Sequence, residues 1–316
     1  MKKAFRIIGI GIGTLIALVI MFMLVLTIFH RISLGTEQKH IEPIGHIVEV
    51  NGHDMHVYLE GENATAPVLV FLAGHGTPAP VYDFKPLYSL LSGEYRIAVV
   101  EKAGYGYTEI ADVPRDIDTI LSETRMALSL VGETGPYISF PHSLSGLEAI
   151  RWAQLYPEEV TAVVGIDMSI PSFYLEMEDF FSSQIKLMRL LNVLTWTGLQ
   201  RFSFISAVSD LALSEQEYTQ AKLLSYRNLL NNTMMEEGEL LLVNVLTVEN
   251  AGVPDVSMLS LISSEQGEVW IAQHERFIEQ VEGQIEYFDA GHYLHQDEPE
   301  RIAALCREFI NTRIIC

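Results

Sequence analysis

Residues 137–146 read Tyr-Ile-Ser-Phe-Pro-His-Ser-Leu-Ser-Gly, an apolar run of β character that passes directly into the first residues of a helix. A serine at so sharp a strand-to-helix turn has its hydroxyl lifted clear of the sheet. It also sits at a helix N-terminus, where free N–H groups can stabilise an oxyanion. The chemistry that suits this arrangement is nucleophilic attack on an acyl carbon, with a general base within hydrogen-bond reach to take the hydroxyl proton. Ser143 is the candidate nucleophile. Ser145 carries a second hydroxyl, but it falls inside the first helical turn, where a small residue permits close packing. Metal chemistry has little to stand on, because His292-x-x-His295 is a pair without an HExxH motif or a carboxylate cluster beside it. Cys306 and Cys316 are the only cysteines, too few for a disulfide framework and not spaced as a CxxC site. The chemistry expected of Ser143 requires no cofactor.

A serine nucleophile needs a scaffold to hold it, and the surrounding pattern supplies one. Residues 46–50 and 55–59 read as a hairpin turning at Asn51-Gly52, since Asn-Gly readily takes positive φ. Apolar runs follow at 68–72, 96–100, 137–140, 162–166, 258–262 and 285–288. They lack clean alternation, as strands covered on both faces of a parallel sheet do. Helical stretches at 81–91, 117–131, 144–155, 269–281 and 299–310 separate them. Strand and helix in alternation imply a doubly wound, mostly parallel α/β sheet. Residues 172–250 break the rhythm: no turn-bounded strand occurs there, and 181–194 and 218–230 carry apolar residues at helical spacing. This stretch is expected to be a helical lid, with Met177, Phe180, Phe181, Met188 and Trp196 divided between its own core and the lining of a pocket.

The first thirty residues are of another kind. Lys2, Lys3 and Arg6 precede an uncharged run at 7–29, closed by His30 and Arg31. At about 1.5 Å per residue the run reaches roughly 34 Å, enough to cross a hydrocarbon core of about 30 Å with some tilt. A cleaved secretory signal is the alternative, but its apolar region is shorter, and Phe29-His30-Arg31-Ile32 is a poor cleavage site. The expectation is a signal anchor in the cell membrane, with the short basic N-terminus cytoplasmic and the remaining chain outside. Gly9 and Gly13 have GxxxG spacing, which lets two such helices approach closely, though the oligomeric state is not fixed by it. The chain thus divides into a tip and membrane helix (1–31), a stem (32–45), a first core segment (46–171), the lid (172–250) and a second core segment (251–316). Beyond Arg31 the balance is 16 Lys plus Arg against 41 Asp plus Glu, so the domain repels nucleic acid and anionic headgroups.

Over residues 48–309 the chain resembles the α/β-hydrolase family. That family's elbow is Gly-x-Ser-x-Gly; here Pro141 and Ser145 stand in the two glycine places. Ser145 is small enough for its place, whereas Pro141 lacks the N–H that the end of a central strand uses. Gly74-His75-Gly76-Thr77 resembles the His-Gly loop after the family's third strand, which implies that the N–H groups of Thr77 and Leu144 form the oxyanion hole. The turn at 101–108, Glu-Lys-Ala-Gly-Tyr-Gly-Tyr-Thr, is similar to a structural turn of the family. Ala290-Gly291-His292, followed by Pro299-Glu300-Arg301, is similar to the loop of its catalytic histidine. The match implies His292 as general base and leaves His295 at the surface or in the pocket. The usual place of the triad acid holds Gln266, beside Glu265. Some members carry the acid after the sixth strand, and Asp167-Met168-Ser169-Ile170-Pro171 is similar to their turn. Asp167 is the favoured acid and Glu265 the alternative.

The resemblance implies a membrane-anchored serine hydrolase that forms an acyl-enzyme and releases it with water. A serine sets the chain apart from the haloalkane and epoxide branches of the family, which use an aspartate nucleophile. The expected substrate is a small carboxylic ester or related acyl compound; amides and small peptides remain open, and the apolar lid favours a lipid-like molecule. The competing reading is a catalytically silent relative that binds a ligand or partner in the same pocket, motivated by Pro141, Ser145 and Gln266.

Overall fold

The computed structural model describes residues 2–63, 65–202 and 213–314; Cys316 lies outside them. The strands are β1 His46–Val50, β2 His53–Glu60, β3 Val68–Leu72, β4 Arg96–Glu101, β5 Tyr137–Pro141, β6 Val160–Ile166, β7 Ser257–Ser263 and β8 Gly283–Phe288. They form one sheet in the order β1-β2-β4-β3-β5-β6-β7-β8. β1 and β2 pair antiparallel across the Asn51-Gly52 turn, β2 runs antiparallel to β4, and the remaining neighbours are parallel. The missing alternation has a direct cause. In β3, Val68, Val70 and Leu72 enter the core on one face while Leu69 and Phe71 enter the core on the other. The chain leaves β3 for β4 on one side and returns to β5 on the opposite side. This reversal opens a crevice at the carboxyl ends of β3 and β5, where ligands of such sheets bind.

The helices are α1 Lys2–Glu37, α2 Pro80–Asp83, α3 Lys85–Leu91, α4 Ile117–Leu130, α5 Gly146–Leu155, α6 Pro171–Glu176, α7 Glu178–Thr195, α8 Glu215–Asn228, α9 Asn232–Glu239, α10 Leu241–Asn250, α11 Glu268–Ile278, α12 Leu294–Asp297 and α13 Pro299–Arg313. α4 shows how they are specified. The Asp116 side chain caps it by accepting from Thr119 N at 3.0 Å, a contact worth about 1 kcal/mol. Ile117, Ile120, Leu121, Thr124, Ala127 and Leu128 then form its buried stripe. The single helix expected at 81–91 is instead two, α2 and α3, with Pro86 in the first turn of α3. A proline has no N–H for a continuing ladder, so the helix restarts.

The helices between β6 and β7 are attached in two different ways. α8 and α9 are tied to the core: Asn228 Nδ2 donates to Pro78 O and Gly106 O, both at 2.8 Å, and Asn231 Nδ2 donates to Gly104 O at 2.7 Å. Beneath them lies a buried ionic cluster, in which Lys102 Nζ reaches Glu148 Oε1 at 2.6 Å and Glu237 Oε1 at 2.7 Å. Tyr105 donates to the other Glu237 oxygen at 2.8 Å. Burial pulls the Lys102 pKa down, but the two carboxylates outweigh it and the net shift is upward; burial raises Glu148 to about 7. α7 differs in having no buried residue at all. α10, at the end of the same stretch, sends Leu241, Val245 and Val248 into the sheet's own core.

α1 is exposed along most of its length and runs past the expected membrane segment as far as Glu37. Among the described residues it is the helix long and apolar enough to cross a membrane. Its last turns are held by the domain: Arg201 forms two bonds of 2.7 Å with the Glu37 carboxylate and donates to His30 Nδ1 at 2.8 Å. This clamp is why the helix continues into the stretch expected as the stem.

Candidate active site

β5 delivers Ser143 to the crevice. Pro141 is its last residue, and the ladder toward β3 is continued by His142, whose N–H donates to Leu72 O at 3.0 Å. Ser143 then takes φ +52°, in the left-handed region that a residue with a Cβ adopts only where its surroundings hold it there. Ser145 supplies part of that hold. Its buried hydroxyl donates to Leu72 O at 2.6 Å and accepts from His142 N at 3.0 Å, stapling the turn to β3. Ser169 N donates to Ser143 O at 2.7 Å from the opposite side. The two departures from the glycine pattern are thus accommodated, one by the ladder and the other by a hydroxyl that makes bonds a glycine lacks.

Gly74 allows the loop after β3 to close on this turn. A methyl group there would stand 2.7 Å from Ser143 Cβ and 3.1 Å from His142 O, so no larger residue fits. Gly146 plays the matching part below, where a Cβ would lie 2.2 Å from Ser169 O. Thr77 is buried, and its N–H is directed at Gly74 O, 3.4 Å away, closing a turn. The N–H of Leu144, at the first turn of the helix, makes no hydrogen bond among the described residues, and the same is true of the His75 N–H next to Gly74.

Asp167 and His292 are brought together from the ends of β6 and β8. Asp167 is fully buried at φ +40°, and its Oδ2 lies 2.6 Å from His292 Nδ1. Its other oxygen accepts from Ser263 N at 3.0 Å and Trp270 Nε1 at 2.9 Å. Sequence reasoning missed both donors, since one is a backbone group and the other a lone tryptophan on α11, and neither belongs to a recognisable pattern. Glu265 is exposed in a short turn after β7 and makes no hydrogen bond with His292. His295 is neither a surface nor a pocket residue. It is fully buried, with Nε2 2.8 Å from Asp83 Oδ2 and its ring 4.9 Å from that of Phe84, centroid to centroid. His142 joins the same cluster. Burial, reinforced by His295 and His292, holds its pKa well below the ordinary value, so it is neutral. Its Nε2 contacts His292 O at 3.1 Å, which steadies the His292 loop.

Ser143 and His292 line one cavity of about 540 Å3, walled by Phe173, Tyr174, Met177, Phe180, Phe181 and Trp270. Among the described residues lining it Glu268 is the one charged group, so the cavity suits an apolar, uncharged molecule.

The same fold recurs in solved proteins. An epoxide hydrolase of Bacillus megaterium superposes with a TM-score of 0.67 at 16% identity, covering 84% of this chain and all of that one. Epoxide hydrolase A of Mycobacterium thermoresistibile gives 0.65 at 19% identity, covering 86% of this chain and 99% of its own. In sequence, the chain is 36% identical over 242 residues to YbdG of Bacillus subtilis (strain 168), an uncharacterised protein; the match spans 75% of this chain and 74% of YbdG. The chain has the α/β-hydrolase fold and belongs to one family with YbdG. It is also 28% identical over 189 residues to a pimeloyl-[acyl-carrier protein] methyl ester esterase of Shewanella woodyi, a match that spans 56% of this chain and 67% of that protein. No family model matches the chain. The residue at the elbow of this α/β-hydrolase fold is a serine, Ser143.

Proposed function

We propose that this α/β-hydrolase is a membrane-anchored serine hydrolase acting on an apolar carboxylic ester through Ser143, His292 and Asp167. One observation carries the reading: Ser143, in a left-handed turn, shares a cavity with His292, whose Nδ1 is held by a buried Asp167 that has no lysine or arginine partner among the described residues. In the reaction, Ser143 Oγ attacks the acyl carbon while His292 Nε2 takes its proton and Asp167 stabilises the imidazolium without becoming protonated. The tetrahedral oxyanion receives N–H groups from Leu144 and from the loop after β3. In that loop the His75 N–H suits the role better than that of Thr77, which is turned toward Gly74 O. His292 then returns the proton to the leaving alcohol, and water releases the acyl group by the same steps in reverse.

The similarity to an esterase and the aromatic walls of the cavity both favour an ester with an apolar acyl chain. The length and apolarity of the 7–29 run support its role as the anchor, and the basic residues before it support a domain outside the cytoplasm. A fluorophosphonate probe tests the chemistry. The folded protein is expected to be labelled at Ser143 and Ser143→Ala to be silent, both in labelling and in hydrolysis of p-nitrophenyl butyrate. A folded wild-type protein that resists the probe would establish the silent-relative reading instead.

A further inference from the structure

α7 carries a stripe of apolar side chains left exposed by the described residues of the domain. Leu187, Leu190, Leu191, Val193 and Leu194 are all exposed, and Trp196 follows at the helix end, 52% exposed. A water-facing helix of a soluble domain does not keep so continuous an apolar strip. Lys186 and Arg189 stand beside it and are also exposed, the composition of a helix that lies in a membrane interface.

The position of α1 identifies the occupant. Within the apolar run at 7–29, Met23, Leu26 and Thr27 are partly covered by the rest of the protein, and His30, one turn on, is buried. The domain therefore stands beside the final turns of the membrane segment, about 9 Å down from its outer end at 1.5 Å per residue. The contact is made where α7 ends. A Cβ on Gly198 would meet His30 Cβ at 2.6 Å, Arg31 stands over the Trp196 ring at 5.9 Å, and Arg201 clamps Glu37. Arg31 closes the apolar run, so Trp196 sits at the level where membrane proteins place interfacial tryptophans.

We propose that α7 lies along the surface of the same membrane that α1 crosses, with Leu187, Leu190, Leu191, Leu194 and Trp196 against the acyl chains. The inference rests on the reading of α1 as membrane-spanning. It also specifies how substrate arrives. Phe180 lies seven residues before Leu187, on the same stripe, is 49% exposed, and lines the cavity that holds Ser143. The cavity mouth therefore opens on lipid, and the substrate class is an acyl ester dissolved in the bilayer. The acidity of the domain is consistent with a zwitterionic surface, which α7 meets through apolar contact and not through charge.

Full-length protein reconstituted in phosphatidylcholine vesicles tests this through its three tryptophans, of which Trp152 and Trp270 are buried. With brominated phosphatidylcholine, the Trp196 emission is expected to fall by about half, as for a side chain about 5–10 Å into the interface, and Trp196→Phe removes the lipid-dependent part. Adding Leu187→Trp on that background, about two and a half turns nearer the cavity, restores it. A tryptophan at 187 that brominated lipid leaves unchanged and aqueous acrylamide quenches would overturn the placement of α7, provided alkaline carbonate leaves the chain in the membrane. Release of the chain by carbonate would instead overturn the spanning reading of α1.

Discussion

Replacing Asp167 by asparagine alters the charge at the centre of the site while leaving its volume unchanged. Two donors, Ser263 N and Trp270 Nε1, converge on Oδ1 at 3.0 and 2.9 Å, so the asparagine oxygen must occupy that position. Its NH2 group then takes the place of Oδ2, 2.6 Å from His292 Nδ1, and becomes the donor of that bond. His292 is forced to carry its own proton on Nε2, the atom that must accept from Ser143. In serine triads this exchange costs about 10^4 in kcat, or about 5.5 kcal/mol of transition-state stabilisation. The fold should hardly notice, because every hydrogen bond keeps a donor and an acceptor, and the unfolding free energy should move by less than about 1.5 kcal/mol. The assay compares kcat for p-nitrophenyl butyrate in wild type, Asp167→Asn and Glu265→Gln, with urea denaturation of each. The reasoning is refuted if Asp167→Asn stays within about tenfold of wild type. A collapse in Glu265→Gln with Asp167→Asn unaffected would move the acid to Glu265.

Gly74→Ala should lose at least about 10^2 in kcat through displacement of the elbow, with circular dichroism unchanged, because its methyl group has no room beside Ser143. Lys102→Met leaves the buried Glu148 and Glu237 without the ammonium group that bridges them. A loss of about 3–5 kcal/mol is expected in urea denaturation, and less than about 1 kcal/mol would contradict the cluster's structural role. The raised pKa of Glu148 predicts a pH effect of definite sign. Its contribution favours the folded state below the ordinary value of 4.5 and is lost as pH rises through about 7. The thermal midpoint of Glu148→Gln should therefore gain on that of wild type across this range, and a gap that narrows or stays constant would show that the shift is absent.

The elements were legible because their causes are local. Strands such as β3 and β7 announce themselves as continuous apolar runs, and the Asn51-Gly52 turn fixes the first hairpin. Ser143 could be found because an elbow is a local event, a strand end followed at once by a helix start. The acid could not be found in that way. Asp167 and His292 are far apart in sequence, and only the adjacency of β6, β7 and β8 makes them neighbours. His295 misled for the opposite reason: three residues from His292 in sequence, it points into the core because Asp83, on α2, provides a buried partner. The extension of α1 into the polar stretch after residue 31 was equally hidden, since Arg201, the residue that stabilises it, comes from the other side of the chain.

The unequal attachment of the helices over the site has a consequence for how the protein can diversify. α9 supplies Glu237 to the buried Lys102 cluster and α8 supplies Asn228, whose amide bonds Pro78 O and Gly106 O, so substitutions at these positions cost folding yield. α7 has no fully buried residue; Phe181 and Ile185 near its start pack on the core, and beyond them it meets its neighbours through an exposed Arg189–Glu239 pair and the Asn192 contact to Leu230 O. Its sequence can drift, and with it the width and polarity of the cavity mouth at Met177 and Phe180, while the elbow beneath stays as it is. Lineages that share this scaffold would thus be expected to differ most in that one helix, each adapting it to its own membrane and acyl chain.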